Sequence, residues 1–198
     1  MAADAARRVR VIALGLAALA AVAHAETYSV RGACRDGYAH GVYELRDAAG
    51  KLRAQGAFNR GARTSSFIYW TSNGVRVAHV PYDDGAVSGT VALWYAQTLP
   101  GRDARQKLEA AYAKGQRHGL TRSWFPSGRP RGEYTYEGGT LTGAKAWNAV
   151  GVALADDAAR AQAMRDAAGD AEYFASLDAE VEANLPVCEA AARDGTKS

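Results

Sequence analysis

Apolar and aromatic residues come in short runs separated by turn residues, and within the runs the alternation has a strand's period. Tyr134 and Tyr136 alternate with Glu133, Thr135 and Glu137, as a half-buried strand does. Leu120 to Phe125 reads as one strand, Pro126-Ser127-Gly128 as a turn and Arg131 to Glu137 as its partner, closed by Gly138-Gly139. Ser72-Asn73-Gly74 is an equivalent turn upstream, where Gly tolerates the positive φ of a tight hairpin. The order Trp70, Gly74, Tyr82, Gly85, Gly89 recurs as Trp124, Gly128, Tyr136, Gly139, Gly143, with the same offsets of +4, +12, +15 and +19 from each Trp. The unit is about 24 residues, a period that marks a repeat architecture.

One repeat predicts one β-hairpin. An isolated hairpin is marginal in water, so successive hairpins are expected to join into a continuous, elongated antiparallel sheet over residues 26–154. Gly41, Gly50, Phe58 and Gly61 keep the register, with Arg46 in the Trp position and Ser65 in a Gly position. Cys34, Gly37 and Gly41 fit the tail of an earlier unit, which puts Cys34 in the aromatic position and on the packed side. The unit that starts at Trp94 is longer, and the extra residues around Thr98 to Lys107 predict a projecting tip. Insertions of this kind often mark the binding face of a repeat protein.

After Gly151 the composition changes. Residues 155–198 are rich in Ala, Asp, Glu and Arg and predict a helical tail packed on one face or an open edge of the sheet. Asp156-Asp157 suits a helix start, and Gly169-Asp170 reads as a stop followed by a new N-cap. Phe174, Leu177, Val181 and Leu185 form an amphipathic stripe that ends before Pro186.

The first 25 residues resolve into a basic segment with Arg7, Arg8 and Arg10, an apolar run from Val11 to Val22, and Ala23-His24-Ala25. This is the pattern of a secretory signal peptide cleaved after Ala25. The expected location is therefore periplasmic or secreted, with no transmembrane helix after cleavage. The remaining chain is close to neutral, which gives no electrostatic case for nucleic acid. Positive residues cluster between Arg102 and Arg131, either as a solvated face or as a docking patch for an anionic partner such as a phospholipid surface. In an oxidising compartment Cys34 and Cys188 are expected to pair as a structural disulfide, with two free thiols as the alternative.

The segments GQRHGLTRSWFPSGRPRGEYTYEGG and SSFIYWTSNGVRVAHVPYDDGAVSGTVALWY resemble the bacterial, antitoxin-like variant of the MORN repeat over about Cys34 to Leu154. The resemblance implies an elongated hairpin sheet used for protein interaction, scaffolding, membrane association or an immunity-like role. It implies no chemistry and no cofactor, and it does not extend to the helical tail.

No residue constellation points to catalysis. His40 and His118 occupy equivalent repeat positions before Gly41 and Gly119, and His79 lies in a strand. None of them has metal-ligand spacing. Asp83-Asp84 and Asp156-Asp157 read as a turn and a helix start rather than as an acid–base pair. The remaining candidates are aromatic. If Trp70, Trp94, Trp124 and Trp147 pack one face, their neighbours Tyr69, Tyr95 and Phe125 point to the other. An aromatic strip left uncovered there would be a binding surface, with core packing on both faces as the competing reading. Tyr69, Tyr95, Phe125, Arg102, Arg105 and Lys107 are thus the candidate partner-binding residues of an exported, noncatalytic interaction module in the cell envelope. The alternatives are an envelope protein that binds anionic lipid through its basic patch, and an immunity protein that neutralises a toxin.

Overall fold

The computed structural model describes residues 28–97 and 104–188. The leader segment, Arg102 and most of the projecting tip lie outside them. The described chain is a mainly β protein. Its strands are β1 (Ser29–Arg35), β2 (Tyr38–Arg46), β3 (Leu52–Asn59), β4 (Ala62–Trp70), β5 (Arg76–Asp83), β6 (Ala86–Val87), β7 (Gly89–Trp94), β8 (Gln106–Ala113), β9 (Gln116–Trp124), β10 (Pro130–Glu137) and β11 (Thr140–Ala146). They form one elongated antiparallel sheet in sequence order, with β6 beside β5 just off the main path. A single helix, α1 (Asp156–Glu182), caps it.

The glycines set the reversals. At one end of the sheet the turns are Asp36-Gly37, Arg60-Gly61, Asp84-Gly85, Lys114-Gly115 and Gly138-Gly139, with both residues of each at positive φ. That is the turn whose twist matches two antiparallel strands. Four of these glycines also donate to a carbonyl of the preceding hairpin: Gly61 N to Ala39 O, Gly85 N to Arg63 O, Gly115 N to Val87 O and Gly139 N to Arg117 O, at 2.8–2.9 Å. The turn is therefore also a link between repeats. At the opposite end, Gly50, Gly74, Gly128 and Gly151 each donate to the carbonyl three residues earlier.

The core lies between the sheet and α1. Tyr43, Phe58, Phe67 and Tyr82 form an edge-to-face chain across β2 to β5, with ring centroids 5.1–5.4 Å apart. Such pairs contribute about 0.5–1.5 kcal/mol beyond the area they bury. Gly56 is what lets Phe67 lie on the sheet, because a Cβ there would stand 2.5 Å from its ring. Leu93, Leu108, Val91 and Ala110 continue the layer, and Leu177 and Val181 of α1 close it. A second cluster joins Tyr134, Tyr136 and Ala146 to Ala159 and Ala163 near the start of the helix.

Four sequence expectations are corrected. The tail is one helix, not two: α1 runs through Gly169 and Asp170 without a break, because the sheet beneath supplies partners on both sides of that position. The tryptophans are not the core. Trp70, Trp94 and Trp124 end β4, β7 and β9 and are only half-buried, as is Trp147. Tyr69 is the residue that faces α1, at 2% exposure; Tyr and Trp do alternate, but the covered face is the one opposite the tryptophans. Cys34 does bond Cys188, with Cα atoms 5.5 Å apart. It sits exposed on edge strand β1, where it fastens the chain end after α1 rather than filling the core.

Candidate functional site

The helix crosses the strands, and its acidic residues meet one sheet cation after another. Asp166 accepts one hydrogen bond from Arg131 Nε, shared between its two oxygens at 3.2 and 3.1 Å, one from Arg131 Nη2 at 2.6 Å, and one from the Tyr134 hydroxyl at 2.8 Å. Asp170 accepts from Arg117 Nη2 at 2.8 Å. One turn on, Phe174 packs edge-on against Tyr112. Asp178 accepts from Arg63 and from the Tyr69 and Tyr82 hydroxyls. Glu180 lies 3.7 Å from Arg53. Spacings of four residues keep Asp166, Asp170, Phe174 and Asp178 on one side of the helix.

Arg63 and Arg117 stand two residues after the turn glycines Gly61 and Gly115, so they are the same position in two repeats. Each guanidinium also lies over two aromatic rings, Phe67 and Tyr82 for Arg63, Tyr112 and Tyr136 for Arg117, at 5.0–5.6 Å. Burial works against both charges, but Asp178 in one case and Tyr112 with Asp170 in the other outweigh it, and both pKa values rise. Burial, reinforced by Asp178, pushes the Tyr82 hydroxyl up to about 12. Burial likewise raises Tyr69 and Tyr134. These groups are held in one protonation state and serve as struts between the two layers.

Between Asp166 and Asp170 the layers part. A cleft of about 360 Å³ opens there, lined by Tyr95, Lys107, Leu108, Ser123, Trp124, Arg131, Arg165, Asp166, Gly169 and Asp170. The Tyr95 hydroxyl donates to Trp124 O at 2.8 Å and holds the two aromatics together. Burial raises the Tyr95 pKa, so the hydroxyl stays protonated. The Arg131 guanidinium lies 5.3 Å from the Phe125 ring centroid, and Lys107 Nζ lies 5.4 Å from that of Tyr173. Ser123 is buried, and its hydroxyl, next to Tyr134, has no hydrogen-bond partner of good geometry. A second hollow, lined by Arg105, Gln106, Trp124 and Gly128, adjoins the first through Trp124.

The sequence candidates therefore divide. Tyr95, Phe125 and Lys107 gather around the cleft. Arg105 donates to Ser127 O beside it. Tyr69 does not join them, since it is buried under α1 against Asp178, and Arg102 lies outside the described residues. The basic run between Arg102 and Arg131 is not one patch. Arg117 points into the core, Arg131 is tied to Asp166, and Arg122 lies 3.9 Å from Glu133. The residues missed from sequence are Ser123, Trp124 as a cleft wall, and the Arg–Asp pairs. The equal repeat positions of Arg63 and Arg117, set against aspartates spaced by four and eight, were the available signal.

Among the described residues no group of three or more His, Cys, Asp or Glu is placed to hold a metal ion. His79 Nε2 lies 2.9 Å from Ser66 Oγ, and His118 Nδ1 accepts from Gly138 N at 3.4 Å. Both are structural contacts within the sheet. No described helix is long and apolar enough to cross a membrane. No protein-family model and no curated protein matches the chain. The fold and the cleft carry the functional reading by themselves.

Proposed function

We propose that this protein is an exported, noncatalytic interaction module of the cell envelope, and that it holds a protein partner on the surface around Tyr95, Trp124 and Phe125. The observation that carries this reading is the meeting of those three half-buried aromatics with Lys107, Arg105 and Arg131 beside the longer unit that follows Trp94. Trp, Tyr and Arg are the residues that most often dominate binding energy at protein interfaces. A multi-stranded sheet braced by a helix is a rigid platform for such a surface and suits a scaffold or interaction role. The Cys34–Cys188 bridge fits an oxidising compartment, and the resemblance to bacterial MORN-variant repeats supports an interaction role. Lipid binding through the basic run is less favoured, because the run does not form one patch: Arg117 is buried against Asp170.

The test is crosslinking in intact envelopes, followed by recovery of the protein, comparing the wild type with Tyr95→Ala and Phe125→Ala. A partner recovered reproducibly with the wild type and lost with both variants supports the proposal. Equal recovery with both variants, at unchanged thermal stability, rejects this surface. Salt-sensitive binding of the purified protein to anionic vesicles would favour the lipid reading instead.

A further inference from the structure

The cleft beneath Gly169 has the properties of a ligand site. Its volume, about 360 Å³, falls within the range of small-molecule pockets. It persists at a cost to the helix above it. Gly in a helix interior is less favourable than Ala, and a Cβ added to Gly169 would meet nothing within 4 Å. Packing does not demand glycine there; the position leaves room over the cleft.

One wall carries a weakly answered hydroxyl. Ser123 is 6% exposed, and its Oγ meets the neighbouring Tyr134 hydroxyl without good hydrogen-bond geometry. A buried polar group in this state is poorly compensated, and an acceptor placed in the cleft would relieve it.

The charges choose the acceptor. Both wall carboxylates are committed, Asp166 to Arg131 and Tyr134 and Asp170 to Arg117. Lys107 acts on Asp170 from a distance, and neither it nor Arg165 forms an ion pair among the described residues; the lining carries Lys107, Arg131 and Arg165 against Asp166 and Asp170, so its balance is positive. The cost of desolvating an anion rises with the square of its charge while its attraction to Lys107 and Arg165 rises only in proportion to it, so a monoanion suits this partly buried cleft better than a dianion. Tyr95, Trp124 and Leu108 add apolar wall beside these cations.

We infer that the cleft between α1 and strands β8–β10 binds a small organic carboxylate with a flat apolar body, its carboxylate between Lys107 and Ser123 Oγ and its body against Tyr95 and Trp124. The cleft shares Tyr95, Trp124 and Lys107 with the surface proposed for a protein partner, but ligand binding is measured on the isolated protein and can fail or succeed separately from that reading.

The experiment is calorimetry and ligand-observed NMR on the purified, oxidised protein with benzoate, using benzamide as its uncharged counterpart and inorganic phosphate as a dianion. Saturable benzoate binding with Kd on the order of 1 mM or tighter is expected, at least about tenfold tighter than benzamide or phosphate, as an uncompensated charge difference of about 1.4 kcal/mol requires. Gly169→Leu fills the cleft from the helix side and should abolish binding without lowering the melting temperature. Lys107→Met should weaken benzoate about tenfold and leave benzamide unchanged. Absence of saturable benzoate binding overturns the inference. So does equal binding of benzamide, preferential binding of phosphate, or undiminished binding to a folded Gly169→Leu protein. If Gly169→Leu does not fold, the Lys107→Met comparison decides alone.

Discussion

Arg117 and Asp170 form an ion pair at 2.8 Å in which both side chains are less than a tenth exposed. It ties β9 to the middle of α1 where the helix would otherwise be held only by contacts on either side. Removing one member of such a pair leaves the other buried without its partner, at about 3–5 kcal/mol, whereas replacing both by apolar residues is often neutral. Asp170→Ala should therefore be destabilised by about that amount in urea denaturation, and Arg117→Leu combined with Asp170→Leu should recover most of the loss. If the losses of Arg117→Leu and Asp170→Leu, each measured alone, simply add in the double variant, the pair is not a coupled unit.

The same carboxylate predicts a pH dependence. Burial holds Asp170 above its usual range, and Arg117 and Lys107 pull it only partly back. The folded state then binds this proton more tightly than the unfolded chain does. The contribution is full below the ordinary aspartate value of about 3.9 and is lost as pH rises through the raised folded value. Asp170→Asn keeps an acceptor for Arg117 but cannot titrate. Its stability relative to the wild type should rise as pH is increased through that window, read from denaturation midpoints at a series of pH values. A constant difference would show that Asp170 is not shifted.

Ser65 has a φ of 59° at the repeat position where Gly41, Gly89 and Gly119 have φ of 82°, 113° and 95°. A side chain in this left-handed region costs about 1–2 kcal/mol, partly offset by the greater unfolded entropy of Gly. Ser65→Gly should stabilise the protein by about 0.5–1 kcal/mol. Gly89→Ala should do the reverse, because its Cβ would also stand 3.1 Å from Pro81 Cγ. Thermal melts of the two variants check the pair, and shifts of the same sign would refute the account.

The disulfide closes a sequence separation of 154 residues, for which the chain-entropy relation gives roughly 5 kcal/mol. Cys34→Ser with Cys188→Ser, or reduction of the wild type, should lower stability by up to that amount. The loss should appear mainly as a lower melting temperature with little change in the β signal of circular dichroism, since the core beneath α1 does not include the bridge. An unchanged melting temperature after verified reduction would show that the bridge adds nothing to folding.

How much was legible beforehand depended on range. The hairpins were readable because a turn is local: a Gly that must adopt positive φ announces itself at Gly74, Gly85 or Gly128 whatever lies elsewhere. Even Ser65 falls in register by its spacing from Gly41 and Gly89. The faces were not readable in the same way. Alternation says that Tyr69 and Trp70 point apart, but not which of them a distant helix will cover. Gly169 looked like a helix stop because local propensity argues so, and local propensity was overruled by Asp166 and Asp170 finding Arg131 and Arg117 on the sheet.

By itself, then, the sequence determined the repeat, the antiparallel hairpins, their turn positions and the presence of a helical tail, all of which follow from backbone constraints acting over a few residues. Tertiary structure alone decided which face became the core, where the basic residues went, and that a cleft would remain between the layers. Those outcomes depend on where α1 lies across the sheet. That placement is set by charges and rings separated by up to 115 residues in the chain, a distance over which no local pattern carries information.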